Sequence, residues 1–269
     1  MSSLSSISAP LIFLGGIVLA VAAACGGQIV VRRRFNTDQF ATHNEVAGFI
    51  VTVAGTLFAV VLGFVTVVVW EQYRGSEERV SVETAAAGDA WHVAVGLPPP
   101  IRTRVRRDML TYGQLMVADE WPLMRSGRFS SRADSLIMDA TDAVGTFDPP
   151  GHRESNAQAI ALTKLAELHD ARSRRLASNA FGVSGIQWGM LLVGAFVVIG
   201  FCWLFGVSNE RVHLMMTSAV AVIVASMFVL IFELQYPFRG ALGIPPNAWT
   251  GFLQHVRYMD TRGMPSMRM

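Results

Sequence analysis

The sequence predicts an all-α membrane protein with four transmembrane helices and a helical insert between the second and the third. Three observations carry that prediction. Four runs, 9–31, 46–70, 186–207 and 213–236, are apolar and long enough to cross a hydrocarbon core of about 30 Å at a rise of 1.5 Å per residue. Charged side chains make up only 16% of the 269 residues, and mean hydropathy is +0.40. No stretch of the polar middle alternates apolar and polar residues with the β-branched or aromatic enrichment of a strand.

The first run ends at Arg32, Arg33 and Arg34. Ala22-Ala23-Ala24-Cys25 has the look of a cleavage or lipidation site, but the residues before Pro10 hold no Lys or Arg and the arginine triplet sits on the wrong flank. A retained span is the expectation. The second run holds no charge and carries a small-residue stripe at helical spacing, Gly48, Thr52, Gly55, Ala59, Gly63 and Thr66. Small residues three or four apart let helices approach closely where no hydrophobic effect drives them together, so this span is expected to pack on another helix. Cys25 and Cys202 both fall inside spans, which argues for neither a disulfide framework nor a zinc site.

The insert, 71–185, reads as helical throughout. From Glu71 to Val95 nothing breaks the second span until Gly96 and Pro98-Pro99-Pro100, so one rod is expected to run on past the bilayer. The next helix, Pro100 to Asp119, places Ile101, Val105, Met109, Tyr112 and Met116 on one face. Arg102, Arg104, Arg106 and Arg107 are a candidate electropositive vestibule or a solvated face. Helices follow over Ser131–Val144 and Glu154–Asn179, the latter with a basic end in Arg172, Arg174 and Arg175 that suits a helix C-terminus. The last two spans are joined by the turn Ser208–Arg211. After them, 237–269 is expected to be a polar tail whose methionines, Met259, Met264, Met267 and Met269, lack paired metal-binding spacing.

Little catalytic chemistry is visible. His43, His92, His152, His169, His213 and His255 are scattered, with no nucleophile elbow, metalloprotease motif or phosphate-binding glycine loop among them. No enzyme activity, cofactor or metal is expected, and a net charge of +2 supports no nucleic-acid partner. Glu233, near the end of the fourth span, is a candidate membrane carboxylate: either interfacial, close to Tyr236 and Arg239, or part of an ion pathway. Arginines flanking the spans are slightly more numerous on the insert side, which places the insert and both termini in the cytoplasm, while the triplet Arg32–Arg34 argues the other way.

One set of short motifs in a fixed order resembles the bestrophin-like family of prokaryotic membrane proteins. These are Glu71, Gln72 and Tyr73 after the second span, Glu83, Tyr112, then Glu120, Trp121 and Pro122 in mid-insert, and Pro237, Phe238 and Gly240 after the fourth. The family pattern has an acid two places before this proline, where the sequence has Gln235, with Glu233 two residues earlier. The resemblance extends roughly from Glu45 to Pro246. It implies a distant relation to bestrophin anion channels, which have four spans, a helical cytosolic region, cytosolic termini and pentameric assembly. It also implies a pore neck of large apolar residues on the second span, for which Phe58, Leu62 and Val65 share one helical face. The expectation is a homo-oligomer in the cell membrane passing small anions. A non-conducting scaffold or sensor, whose insert binds a cytosolic partner, is the alternative.

Overall fold

The computed structural model describes residues 2–35, 41–179 and 182–261. Every regular element among them is helical: α1 (Ser2–Arg34), α2 (Asn44–Val93), α3 (Pro99–Leu115), α4 (Trp121–Arg125), α5 (Ser131–Gly145), α6 (His152–Ser178), α7 (Gly185–Trp203), α8 (Glu210–Leu234) and α9 (Asn247–Thr261). A π-helical turn, Met116–Glu120, joins α3 to α4. Four helices are long and apolar enough to cross a membrane, namely α1, α2, α7 and α8. The protein is an integral membrane protein of the all-α class.

The chain divides into two units, Met1–Glu71 with Gly182–Gln235 and Gln72–Phe181 with Tyr236–Met269. The helix α2 contributes to both. It runs unbroken for 50 residues, about 75 Å at 1.5 Å per residue, because no Pro or helix-breaking cluster falls between Asn44 and Val93.

In the membrane unit α1 packs chiefly on α8. The helix ends are well defined. Ser184 forms a capping box with Gln187 at the start of α7, and Asn209 caps α8 by accepting from the backbone N–H groups of Arg211 and Val212. The turn between α7 and α8 is fastened from two directions. Asn44 donates to the Gly206 carbonyl and accepts from its N–H, both at 2.9 Å, and Arg32 donates to the Val207 carbonyl at 3.1 Å.

The second unit is built round one apolar core from α2, α3, α5, α6 and α9. Val105, Met109, Tyr112 and Met116 supply the buried stripe of α3 and its continuation, while Trp249, Phe252 and Val256 bring in α9. The segment 237–269, expected to be a polar tail, therefore holds a core helix. Its signal was Trp249, Phe252, Val256 and Met259 at three- and four-residue steps after Pro245-Pro246. Met259 packs against the core, and Met264, Met267 and Met269 lie outside the described residues.

Candidate functional site

The second unit encloses a cluster of charge. Three stripes of helical spacing carry it: Ser76, Val80, Glu83, Ala87 and Ala90 on α2; Val105, Met109, Tyr112, Met116 and Glu120 from α3 into the π turn; Ala161, Leu165, Leu168, Arg172 and Arg175 on α6. In each, charged side chains occupy places where the spacing demands an apolar one. They converge. Arg175 donates through Nε to Glu83 and through Nη2 to Glu83 Oε1 at 3.1 Å and Glu120 Oε1 at 3.2 Å. Arg172 donates to Glu120 Oε1 at 2.9 Å, to Asp134 Oδ1 at 2.6 Å and to the Ser130 carbonyl at 2.8 Å. The other oxygen of Glu120 accepts from the Ser130 N–H at 2.7 Å. Tyr112 donates its hydroxyl to Glu83.

Side-chain exposure is 0% for Glu83, Glu120 and Arg175 and 1% for Arg172. Two carboxylates balance two guanidiniums, and nearly every donor is engaged, which is what makes such burial tolerable. Burial first, and the Glu83 carboxylate second, hold the Tyr112 phenol well above its ordinary range. Burial works against the charge on Arg175, yet Glu83, Tyr112 and Glu120 together outweigh it and keep the guanidinium above its usual value. The cluster acts as a clasp joining α2, the π turn and α6. Sulfur atoms of Met124 and Met116 complete the surroundings of Arg175, and the Trp121 ring lies 5.4 Å from its guanidinium carbon.

The remaining motif residues surround this clasp. Trp121 donates its indole N–H to the Ile244 carbonyl at 2.8 Å and meets Phe238 edge to face. Pro122 sits in the first turn of α4. Pro237 accepts from the Ile244 N–H at 2.8 Å and so closes a loop in which Gly240 adopts φ 71°, a left-handed conformation that glycine enters without a Cβ penalty. Tyr73 donates to the Leu242 carbonyl of that loop, whereas Glu71 and Gln72 are exposed.

On α2 the residues of the expected neck lie on the more covered face of the helix. Phe58, Leu62 and Val65, with Val69, form the face that packs on the chain's own helices. Leu62 is only 7% exposed, and a Cβ on Gly194 of α7 would collide with the Phe58 ring. The outward side of α2 carries Val53, Leu57, Val60, Phe64 and Val67. Between the two faces runs the small-residue stripe. Gly48 approaches Phe205, Gly55 and Gly63 have nothing within 4 Å of an added Cβ, and Thr52, Ala59 and Gly63 are exposed. Thr66, half-buried, donates back to the Leu62 carbonyl at 2.8 Å.

The α3 arginines divide into pairs. Arg102 folds back on the Leu97 carbonyl, and Arg106 covers the Trp91 ring at 4.2 Å. Arg104 and Arg107 are exposed, beside the buried Asp108. Glu233 is buried in the last turn of α8. Gln235 accepts from the Val183 N–H at 3.3 Å and the Trp188 indole at 3.2 Å, so its amide oxygen fills an acceptor role open equally to a carboxylate. Among the described residues no group of three or more potential metal ligands gathers.

The sequence profile of the Bestrophin-like domain matches residues 18–249. The chain belongs to the Bestrophin-like family. Among solved structures, two point mutants of a bacterial bestrophin homologue from Klebsiella pneumoniae resemble this bestrophin-like protein at 14% identity, with TM-scores of 0.70 and 0.67. The alignments cover 92% and 90% of this chain and 99% of each homologue. The crystal structure of another point mutant, described as a membrane protein, gives 15% identity and a TM-score of 0.69 over 93% of this chain and 98% of the other. At such identities the likeness is one of fold. No curated protein matches significantly in sequence. In this bestrophin-like chain, sequence reasoning placed Glu83, Tyr112 and Glu120 by motif but read Arg172 and Arg175 as a basic helix end. The overlooked signal was their register with Leu165 and Leu168.

Proposed function

We propose that this bestrophin-like protein is a homo-oligomeric channel that passes small anions passively across the cell membrane, with the α2 helices of several copies around the axis and the second unit in the cytoplasm. A pentamer is the assembly the family suggests. The observation that carries the proposal is the unpartnered outward side of α2: Val53, Leu57, Val60, Phe64 and Val67, bordered by Thr52, Ala59 and Gly63. Small residues suit contact with a neighbouring copy. Large apolar residues one or two turns apart suit a constriction that gates by dewetting. Leu57, Val60 and Phe64 are thus the neck candidates in place of Phe58, Leu62 and Val65. Arg104 and Arg107, both exposed, would raise the local anion concentration at the cytoplasmic mouth.

The test is anion efflux from chloride-loaded liposomes containing the purified protein. Protein-dependent efflux that rises in Phe64→Ala and stays level in Met138→Ala, a substitution on the exposed side of α5, supports a channel with this neck. Folded, inserted protein that passes no anion across a range of pH, calcium and voltage overturns the reading in favour of a membrane scaffold or sensor.

A further inference from the structure

A second polar cluster lies inside the membrane unit. Four buried atoms there, Nε2 and Oε1 of Gln28, Nδ1 of His213 and Oγ1 of Thr217, make no hydrogen bond to the protein. The residues are 1%, 3% and 1% exposed. Each unmade bond in such a place leaves the full desolvation cost of its group uncompensated. Several together in one seam call for a partner.

The seam is defined by packing. Ala24 and Gln28 are buried on α1, and His213, Thr217, Ala221 and Ala225 line the buried face of α8, the helix on which α1 chiefly packs. The two run antiparallel: Cys25 Sγ lies 3.1 Å from Ser218 Oγ, and Arg32 reaches the Val207 carbonyl just before α8 begins. Moving three residues along α1 from Cys25 to Gln28 corresponds to moving three back from Ser218. That level falls midway between His213 and Thr217, about 3 Å along the axis from each. Gln28 therefore projects between them, two turns or less from the helix ends.

Hydrogen-bond valence identifies the ligand. His213 Nε2 is 2.8 Å from the Cys202 carbonyl, which only accepts, so Nε2 carries a proton and, in the tautomer with that single ring proton, Nδ1 is an acceptor. Gln28 adds one acceptor and two donors, and Thr217 a hydroxyl able to do either. An anion would meet only the donors. A metal or ammonium ion would meet only the acceptors. Water does both, and buried water commonly makes about three such bonds. We propose that Gln28, His213 and Thr217 form a binding site for an enclosed water molecule that latches α1 to α8.

An experimental structure of the full chain in lipid nanodiscs, at a resolution that shows ordered water, tests this directly. Density about 2.6–3.2 Å from Gln28 and from at least one of His213 and Thr217 is the expected result. A direct bond between Gln28 and either residue with no such density overturns the proposal. So does density at about 2.0–2.6 Å, the range of a bound cation. Thermal unfolding gives a second reading that depends on sign. Gln28→Leu and the nearly isosteric Thr217→Val should each lower the melting temperature by about 2–4 °C if water is bound. A rise in both, the outcome for a dry seam relieved of unmade bonds, overturns it.

Discussion

Glu83 of α2 and Arg175 of α6 stand 92 positions apart in sequence and meet as an ion pair from which solvent is wholly excluded. Their encounter fixes how α6 lies against the second half of α2. Because Arg175 also bonds Glu120, neither partner can be removed without stranding charge in the interior.

Arg175→Met should cost about 3–5 kcal/mol, since Glu83 loses its counter-charge and Glu120 keeps only Arg172 in a dry site. Arg175→Lys restores charge but not the fork that spans both acids, and it should recover only part of the loss. Thermal unfolding in detergent of both variants, combined with Glu83→Gln in a double-mutant cycle, measures the coupling. Additive losses would show that the pair contributes nothing as a pair.

Tyr112→Phe should cost about 1.5–3 kcal/mol, the worth of a hydrogen bond to a charged group. It should also change the alkaline limb of stability. The folded phenol is held above its ordinary value, so its contribution is intact below the unfolded value near 10 and is lost as pH rises through the folded value. The gap between wild type and Tyr112→Phe should therefore narrow above pH 10, and a constant gap would contradict this account.

Asp108 has the opposite practical outcome at neutral pH. Burial holds its carboxyl above the ordinary range despite Arg107 and Arg104, and its Oδ2 makes no hydrogen bond. Its contribution is full below 3.8 and is lost as pH rises through the folded value. Asp108→Asn should raise the melting temperature at pH 7, with the gain shrinking toward pH 4. A lower melting temperature at pH 7 would mean that the exposed arginines pair with it more strongly than their geometry suggests.

On α7, Gly194→Leu should loosen the membrane unit by driving Phe58 of α2 away, seen as a lower melting temperature. Phe64→Ala should leave stability within about 0.5 kcal/mol, because Phe64 touches little in its own subunit. The reverse order of effects would restore Phe58 to the axis and return Phe64 to the packed interior.

The spans and the long insert helices were legible because apolar run length and proline position act locally. The helix α9 was not, because Trp249, Phe252 and Val256 stand among polar residues and methionines that read as a loose end. Arg172 and Arg175 obeyed two rules at once, the basic helix terminus and the buried stripe, and only the position of Glu83 and Glu120 in space decides between them. The same ambiguity governed Phe58 and Phe64. Packing face and outward face of α2 repeat at one period, and it takes Gly194, more than a hundred residues later, to tell them apart.

The second unit is discontinuous in sequence, with α7 and α8 intervening between Phe181 and Tyr236. During biosynthesis this imposes an order. Tyr112, Met116 and Trp121 leave the ribosome long before Phe238, Ile244 and Trp249, the residues that cover them, and two further spans must be inserted in between. Until α9 is made, that half-built core lacks the residues that cover it. A stop codon just after α8 would yield a chain with every span in place and an interior that never closes, a substrate for quality control rather than for assembly.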